Sequence, residues 1–473
     1  MYEVTLMIMK RKSVIAIAAA LTLCASAAGV FGMGAGCVAE AAGSLNIDIH
    51  PPKVDVKGPL VAASLTVDGK ETDYNDAGTA FSEMWGKHGA VMKLYKDWDI
   101  HDRMWVDSRC DGNTLDLNGH VITRHADYQR VDGEIMNISG GAHFTIKDSQ
   151  PYIKHGDVKG GILTGGTSRS GAGGIHISGG HLTMTGGTIY KNNTNEHGGG
   201  IYVEKDGSLT MSNASFNGNE TKDARGKTHG GAIYIDGGTV NLSGVSFLNN
   251  KSENDGGAIY HNKGTLIARN CVFMNNSSKH EGGAIAIDGE NVELYNPTME
   301  SNHADGRGGA IWINANKVFL SDGTIQKNSA DGYGNGIYVD SQNDINIQGR
   351  LKIADNGVDN LSLQNGIFST AHVYNGGLSP GSKVGVGFVD APLSSSGYEA
   401  IKNISEYELN NYIVADRGHF EFRDAIYVFQ VFMATAISEY GAALYIVIAL
   451  ELIAAVYIIA AAVRKNKKEE VEA

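Results

Sequence analysis

The phrase Gly230-Gly231-Ala232-Ile233 returns as Gly256-Gly257-Ala258-Ile259, Gly282-Gly283-Ala284-Ile285 and Gly308-Gly309-Ala310-Ile311. Shorter forms, Gly173-Gly174-Ile175 and Gly199-Gly200-Ile201, precede them, and a degenerate Gly334-Asn335-Gly336-Ile337 follows. The Ile positions are 175, 201, 233, 259, 285, 311 and 337, five steps of 26 residues and one of 32. The six extra residues fall in the polar stretch 221–229. A repeat of this length is read before any motif, because it decides the architecture.

Two further columns run in phase. One is a large apolar residue, two residues, then Asn: Ile189 and Asn192, Phe216 and Asn219, Phe247 and Asn250, Phe273 and Asn276, Met299 and Asn302, Ile325 and Asn328, Ile353 and Asn356. The other alternates: Leu182 and Met184, Leu209 and Met211, Val240 and Leu242, Leu266 and Ala268, Val292 and Leu294, Val318 and Leu320, Ile345 and Ile347. Each unit thus holds three short period-2 strands parted by Gly, Asn and Asp turns. Strands this short bury a face only by stacking on their copies in the next unit, ~4.8 Å away. The expectation is an all-β parallel β-helix with three faces per coil. A propeller blade needs about 40 residues, more than one unit supplies. Asn at one fixed turn position predicts an internal ladder of amides. Gly-Gly predicts positive φ or close backbone approach.

The same alternation starts earlier, at Thr114 to Ile122, Ile135 to Ile138, and Phe144 to Ile146. It gives about nine coils over 111–356. Gly78 to Trp85 as a short helix and Ala90 to Tyr95 as a strand make an N-terminal cap within 42–110. The region 357–440, where the period fails, is read as a β-rich C-terminal cap.

Composition agrees. There are 62 Gly but only 7 Pro, and no Gly-X-Y period, which excludes collagen. The net charge of −13 gives no claim on nucleic acid. Cys110 and Cys271 stand far apart in the repeat order and are expected as unpaired thiols.

Both ends read as targeting segments. Lys10, Arg11 and Lys12 precede an apolar run from Val14 to Val30, with small-residue sites at Ala25-Ser26-Ala27 and Ala39-Glu40-Ala41. This is a secretory leader, expected over 1–41. Gly441 to Val463 is apolar apart from Glu451 and, as a helix, spans ~34 Å. Arg464, Lys465, Lys467 and Lys468 follow, so the tail 464–473 is expected to be cytoplasmic and the repeats extracellular.

Where Gly-Gly-Ala-Ile alternates with Phe216 to Asn219, Phe247 to Asn250 and Phe273 to Asn276, over about 170–360, the chain resembles the repeat region of the chlamydial polymorphic outer-membrane proteins. Leu115 to Ile122 and Lys93 to Asp97 also look like the surface β-helix proteins of gut Firmicutes. The resemblance implies a right-handed β-helix displayed on the cell surface as an adhesin. That family ends in an outer-membrane barrel, whereas this chain ends in one expected transmembrane helix.

Candidate sites come from strand parity. The residue after each column Ile points outward: His176, Tyr202, Tyr234, Tyr260, Ala286, Trp312 and Tyr338. Exposed aromatics at ~4.8 Å steps would stack sugar rings, so Tyr202, Tyr234, Tyr260, Trp312 and Tyr338 are the candidate ligand-binding residues. Against this stands the ordinary preference of aromatics for strands. Ser178, Glu204, Asp236, Asn262, Asp288, Asn314 and Asp340 form an acid/amide column. Its carboxylates stand about two coils apart, which suits turns better than a shared metal or a glycosidase pair. His261 interrupts an inward Ile/Val column and reads as a local bulge or a satisfied core group. No catalytic set, cofactor motif or metal motif emerges. The reading is an adhesin-like surface protein that binds an extracellular ligand, a glycan or host surface, and is held by its C-terminal helix. The alternative on the same fold is a polysaccharide lyase or hydrolase.

Overall fold

The computed structural model describes residues 58–430, apart from 59, 126–132, 170, 224–227, 341–342, 358, 365–369, 390–398, 417–418 and 424–425. The leader expected over 1–41 and the membrane helix expected over 441–463 lie outside these residues. Among those described, no helix is long and apolar enough to cross a membrane.

The three columns become three parallel sheets around one core. In the first sheet Ile175–Ser178 lies on Ile201–Glu204, with Ile175 against Ile201 and Ile177 against Val203. In the second, His181–Thr185 lies on Ser208–Ser212, with Leu182 against Leu209. In the third, Thr188–Tyr190 lies on Ser215–Asn217, with Ile189 against Phe216. The inward Ile, Leu, Met and Phe side chains are all buried. Phe216, Phe247 and Phe273 stack with ring centroids 5.0 and 4.7 Å apart and nearly parallel planes. Each such side chain contributes roughly 1.5–3 kcal/mol by leaving water.

The tube is longer than the expected nine coils. Ten successive parallel pairings in the first sheet, from Met104 to Val386, give about eleven rungs among the described residues. Val91–Leu94, Trp98–Ile100 and Met104–Val106 are rungs rather than a cap. Beyond 356, Leu361–Gln364, Thr370–Leu378, Lys383–Val389 and Ile413–Ala415 continue the stack. These coils keep the inward alternation but lose the tetrapeptides, because their turns differ in length. The cap itself is smaller. An antiparallel hairpin, Ala63–Val67 with Lys70–Tyr74, turns at Asp68-Gly69, both with positive φ. The helix Ala77–Glu83 follows, with Asp76 accepting from the Thr79 amide and Phe81 buried.

A fourth sheet escaped the sequence reading. Seven two-residue strands, from Thr167–Ser168 to Ser329–Ala330, stack just after the Asn column. Two residues are too few to show a period.

The Asn ladder forms as expected. Asn276 accepts from the Asn250 amide and side chain, each at 3.0 Å. It donates to Asn302 Oδ1 and to the Phe247 carbonyl, each at 2.9 Å. The same pattern runs from Asn192 through Asn356 to Asn360, and there the carboxylate of Asp416 accepts from the Asn360 amide and side chain at 2.8 Å. Both expected uses of Gly-Gly are present. Gly230 has φ +69°, and a Cβ on Gly231 would stand 2.2 Å from the Gly257 carbonyl oxygen. Cys110 and Cys271 are free and buried.

Candidate functional site

The aromatic column points away from the core, as parity requires, yet it is not exposed. Tyr234, Tyr260, Trp312 and Tyr338 are buried in an apolar cluster of their own, and Tyr202 is half-buried. Residues four places before a column Ile pack on these rings: His197, His229 and Arg307. His197 stacks on Tyr234 and His229 on Tyr260, both at 4.2 Å. The Arg307 guanidinium lies 4.8 Å from the Tyr338 ring and donates to its hydroxyl at 3.2 Å. Burial, then Asp236, pushes the Tyr234 phenol up to about 12; burial and the neighbouring His229 push His197 down to about 4. The chain reverses at the positive-φ glycine and folds this second layer over the first sheet. Four of the five candidate residues therefore present no open ring face.

The acid/amide column is also engaged. Asn262 donates to Asp236 and Asn314 to Asp288, each at 2.8 Å, and the Tyr260 hydroxyl donates to Asp288. His261 lies inside the tube at a register slip, Ile235 pairing with His261 and Asp236 with Lys263. The bulge is as expected, but the ring is not satisfied, since neither nitrogen has a hydrogen-bond partner.

The covering layer has a gap beside the first of these coils. Four residues before Ile175 the column holds Gly171, with φ +91° and no side chain to lay over the sheet. The outward column of these coils is Trp105, Asn137, His176 and Tyr202, aligned by strand register. Above it opens a cleft of about 360 Å³, lined also by Arg103, Glu134 and Glu204. Trp105 is 43 % exposed. The Arg103 guanidinium sits 3.8 Å from the Trp105 ring centroid and donates to Glu134 Oε1. Glu134 is 1 % exposed, and its Oε2 has no hydrogen-bond partner. The His176 ring stacks on Tyr202 at 5.0 Å. Its Nε2 lies 3.1 Å from Glu204 Oε1, an ion pair when the ring is protonated, while Glu204 Oε2 accepts from Ser178 Oγ at 2.6 Å. Of the candidate aromatics, only Tyr202 lines this cleft.

The sequence held one signal for it. Register places Glu134 two residues before Met136, where later coils hold Gly173, Gly199, Gly231, Gly257, Gly283 and Gly309. Glu134 thus stands where six later coils hold glycine. A second donor set, His303 with Asp305 and Asp331, sits on the fourth sheet, with His303 Nε2 3.2 and 3.9 Å from the two carboxylates. Lys279 already pairs with Asp305 at 3.0 Å, so a cation there would meet an ammonium.

Residues 152–350 match the family model described as "Right handed beta helix region". The repeat region is similar to that family, and its strands stack as a parallel β-solenoid. That match covers the most regular coils, and the β-helix extends beyond it on both sides. Neither the curated proteins nor the solved structures give a significant match. Right-handed β-helices occur both in adhesins and in pectate-lyase-like enzymes.

Proposed function

We propose that this chain is a membrane-anchored, cell-surface β-helix that binds an extracellular saccharide in an adhesin-like role, through the cleft at Trp105. The observation that carries the reading is the gap in the covering layer at Gly171, which leaves Trp105, Asn137, His176 and Tyr202 facing one open cavity. Aromatic faces beside unpartnered polar atoms match the two surfaces of a sugar ring, one of C–H groups and one of hydroxyls. Display at the surface rests on the basic leader and on the apolar 441–463 segment with its basic flank. Protease shaving of intact cells tests the topology: the repeats should be removed while a C-terminal fragment stays with the membrane. Repeats protected until lysis would overturn it.

A saccharide panel with the full-length chain in mild detergent tests the cleft. Trp105→Ala should weaken binding of whichever sugar is held by about tenfold, the equivalent of 1.4 kcal/mol of ring contact. A second reading, polysaccharide lyase or hydrolase, is favoured by one observation: Glu134 and Glu204 line the same cleft. Release of reducing ends or unsaturated products from the bound sugar would establish it; binding without turnover would leave the adhesin-like reading.

A further inference from the structure

We propose that the cleft at Trp105 is selective for a saccharide bearing a free amine, an amino sugar rather than a uronate or an N-acetylated sugar. This rests on the saccharide-binding reading above and adds the charge of the ligand.

The argument begins with charge. Two carboxylates, Glu134 and Glu204, line the cleft against one guanidinium, Arg103. That guanidinium is already committed to Glu134 Oε1 on one side and to the Trp105 ring on the other. An anionic sugar would therefore meet carboxylate repulsion with no uncommitted guanidinium to receive it. The vacant valences point the same way. Glu134 Oε2 is buried and unpartnered, and a carboxylate oxygen of this kind only accepts. Glu204 Oε1 stands at the cleft edge, 36 % exposed and 3.1 Å from His176 Nε2, as a second acceptor beside it. A buried acceptor left without a donor is costly, and an ammonium supplies three donors with a compensating charge. The charge-assisted bond it forms is about twice as strong as one from a neutral hydroxyl. Trp105, 43 % exposed, adds apolar ring surface for the sugar C–H groups.

The geometry explains why the preference sits here. In the coils that follow, His197, His229 and Arg307 occupy the covering layer. Where Gly171 replaces them, the floor lines an open cleft. The acid at 134, at a position where the coils from Gly173 to Gly309 hold glycine, supplies the buried charge from the adjacent coil.

The test is titration calorimetry of the full-length chain in mild detergent with four probes. These are a glucosamine oligomer, its N-acetylated form, a neutral glucose oligomer and an oligogalacturonate of equal length. The glucosamine oligomer should bind at least about tenfold more tightly than the other three, the effect of one charge-assisted bond. Glu204→Gln should cut that preference about tenfold, and Glu134→Gln should do the same. Should Glu134→Gln fail to fold, Glu204→Gln, which stands at the cleft edge, decides alone. Equal or tighter binding of the acetylated, neutral or acidic oligomer overturns the amine inference and leaves the saccharide reading standing. Failure of all four oligomers to bind removes both. An oligolysine peptide that binds as tightly as the glucosamine oligomer also overturns it, because the site would then read an ammonium and not a sugar.

Discussion

His261 is a polar side chain fully buried within the repeat. It faces inward where Ile235 and Ile287 face inward in the adjacent coils, and neither ring nitrogen is hydrogen-bonded. Burial pushes its pKa down to about 4. In the unfolded chain a His titrates near 6.5. Between those values the unfolded chain binds a proton that the native state refuses, so stability should fall as pH drops from about 6.5 toward 4. The full slope for one such group is about 1.4 kcal/mol per pH unit. Replacing His261 with Ile should restore the column, raise stability at neutral pH by about 1–3 kcal/mol, and make the acid limb shallower. Some slope should remain, because His197 is also held near 4. Denaturant melts at pH 7 and pH 4.5 measure both effects; an unchanged acid limb in the variant would remove the explanation. The cleft likewise turns on a single residue, since Gly171 brings no side chain to the covering column there.

At the scale of elements, two layers with opposite chemistry share each coil. The amide ladder is polar, buried and fully partnered. Asn276 serves four hydrogen bonds. Asn276→Ala would leave the Asn250 amide and side-chain nitrogen, the Phe247 carbonyl and Asn302 Oδ1 without those partners. The expected cost is about 2–5 kcal/mol, from buried polar groups losing their bonds. Equilibrium denaturation reads it, and a loss under 1 kcal/mol would mean that water replaces the amide. The outer layer is aromatic and interleaved with His, Asp and Arg. Changing Tyr234, Tyr260 and Trp312 together to Ala should therefore destabilise the fold by several kcal/mol, as large-to-small changes in buried positions do. Saccharide binding at the cleft should be affected little, because these rings lie under the covering layer and Tyr202 is the aromatic that reaches the cavity. A melting temperature equal to that of the native chain would show that the layer is open in solution.

Across the whole molecule the energetic problem is the ends, since a stack of rungs exposes an unpaired rung at each. The N-terminal end is met by the antiparallel hairpin and by the helix Ala77–Glu83, which carries Phe81 into the core. At the other end the amide ladder stops on Asp416, whose two oxygens accept from Asn360. An Asn there would offer one oxygen and an unpartnered amide. Asp416→Ala should therefore loosen the last coils first. Hydrogen exchange should quicken in Leu361–Gln364 by about ten- to a hundredfold, the equivalent of roughly 1–3 kcal/mol, with Ile285–Ile287 hardly changed. A uniform increase along the tube would mean that the stack opens as one unit.

What the sequence determined by itself is whatever repeats along the stack. Period-2 alternation at a spacing of 26 leaves inward Ile and Phe no place but the core, and a fixed Asn in each turn no partner but its own copy. Register, ladder and the two uses of glycine follow from local geometry multiplied by translation, so they could be read from the chain. The coils outside the tetrapeptides were legible only in part, because alternation survives there while turn length does not. Parity also fixed which way Tyr234, Tyr260, Trp312 and Tyr338 point. It could not fix what lies over them, because cover is supplied by a different stretch of chain that folds back across the sheet. That stretch is separated from the rings it covers by a coil, and its residues, His197, His229 and Arg307, share no single chemistry. The cleft was decided at the same level. Trp105, Glu134, Gly171 and Glu204 come from four different coils, and only their stacking places an exposed indole, a buried acid and a missing side chain around one cavity.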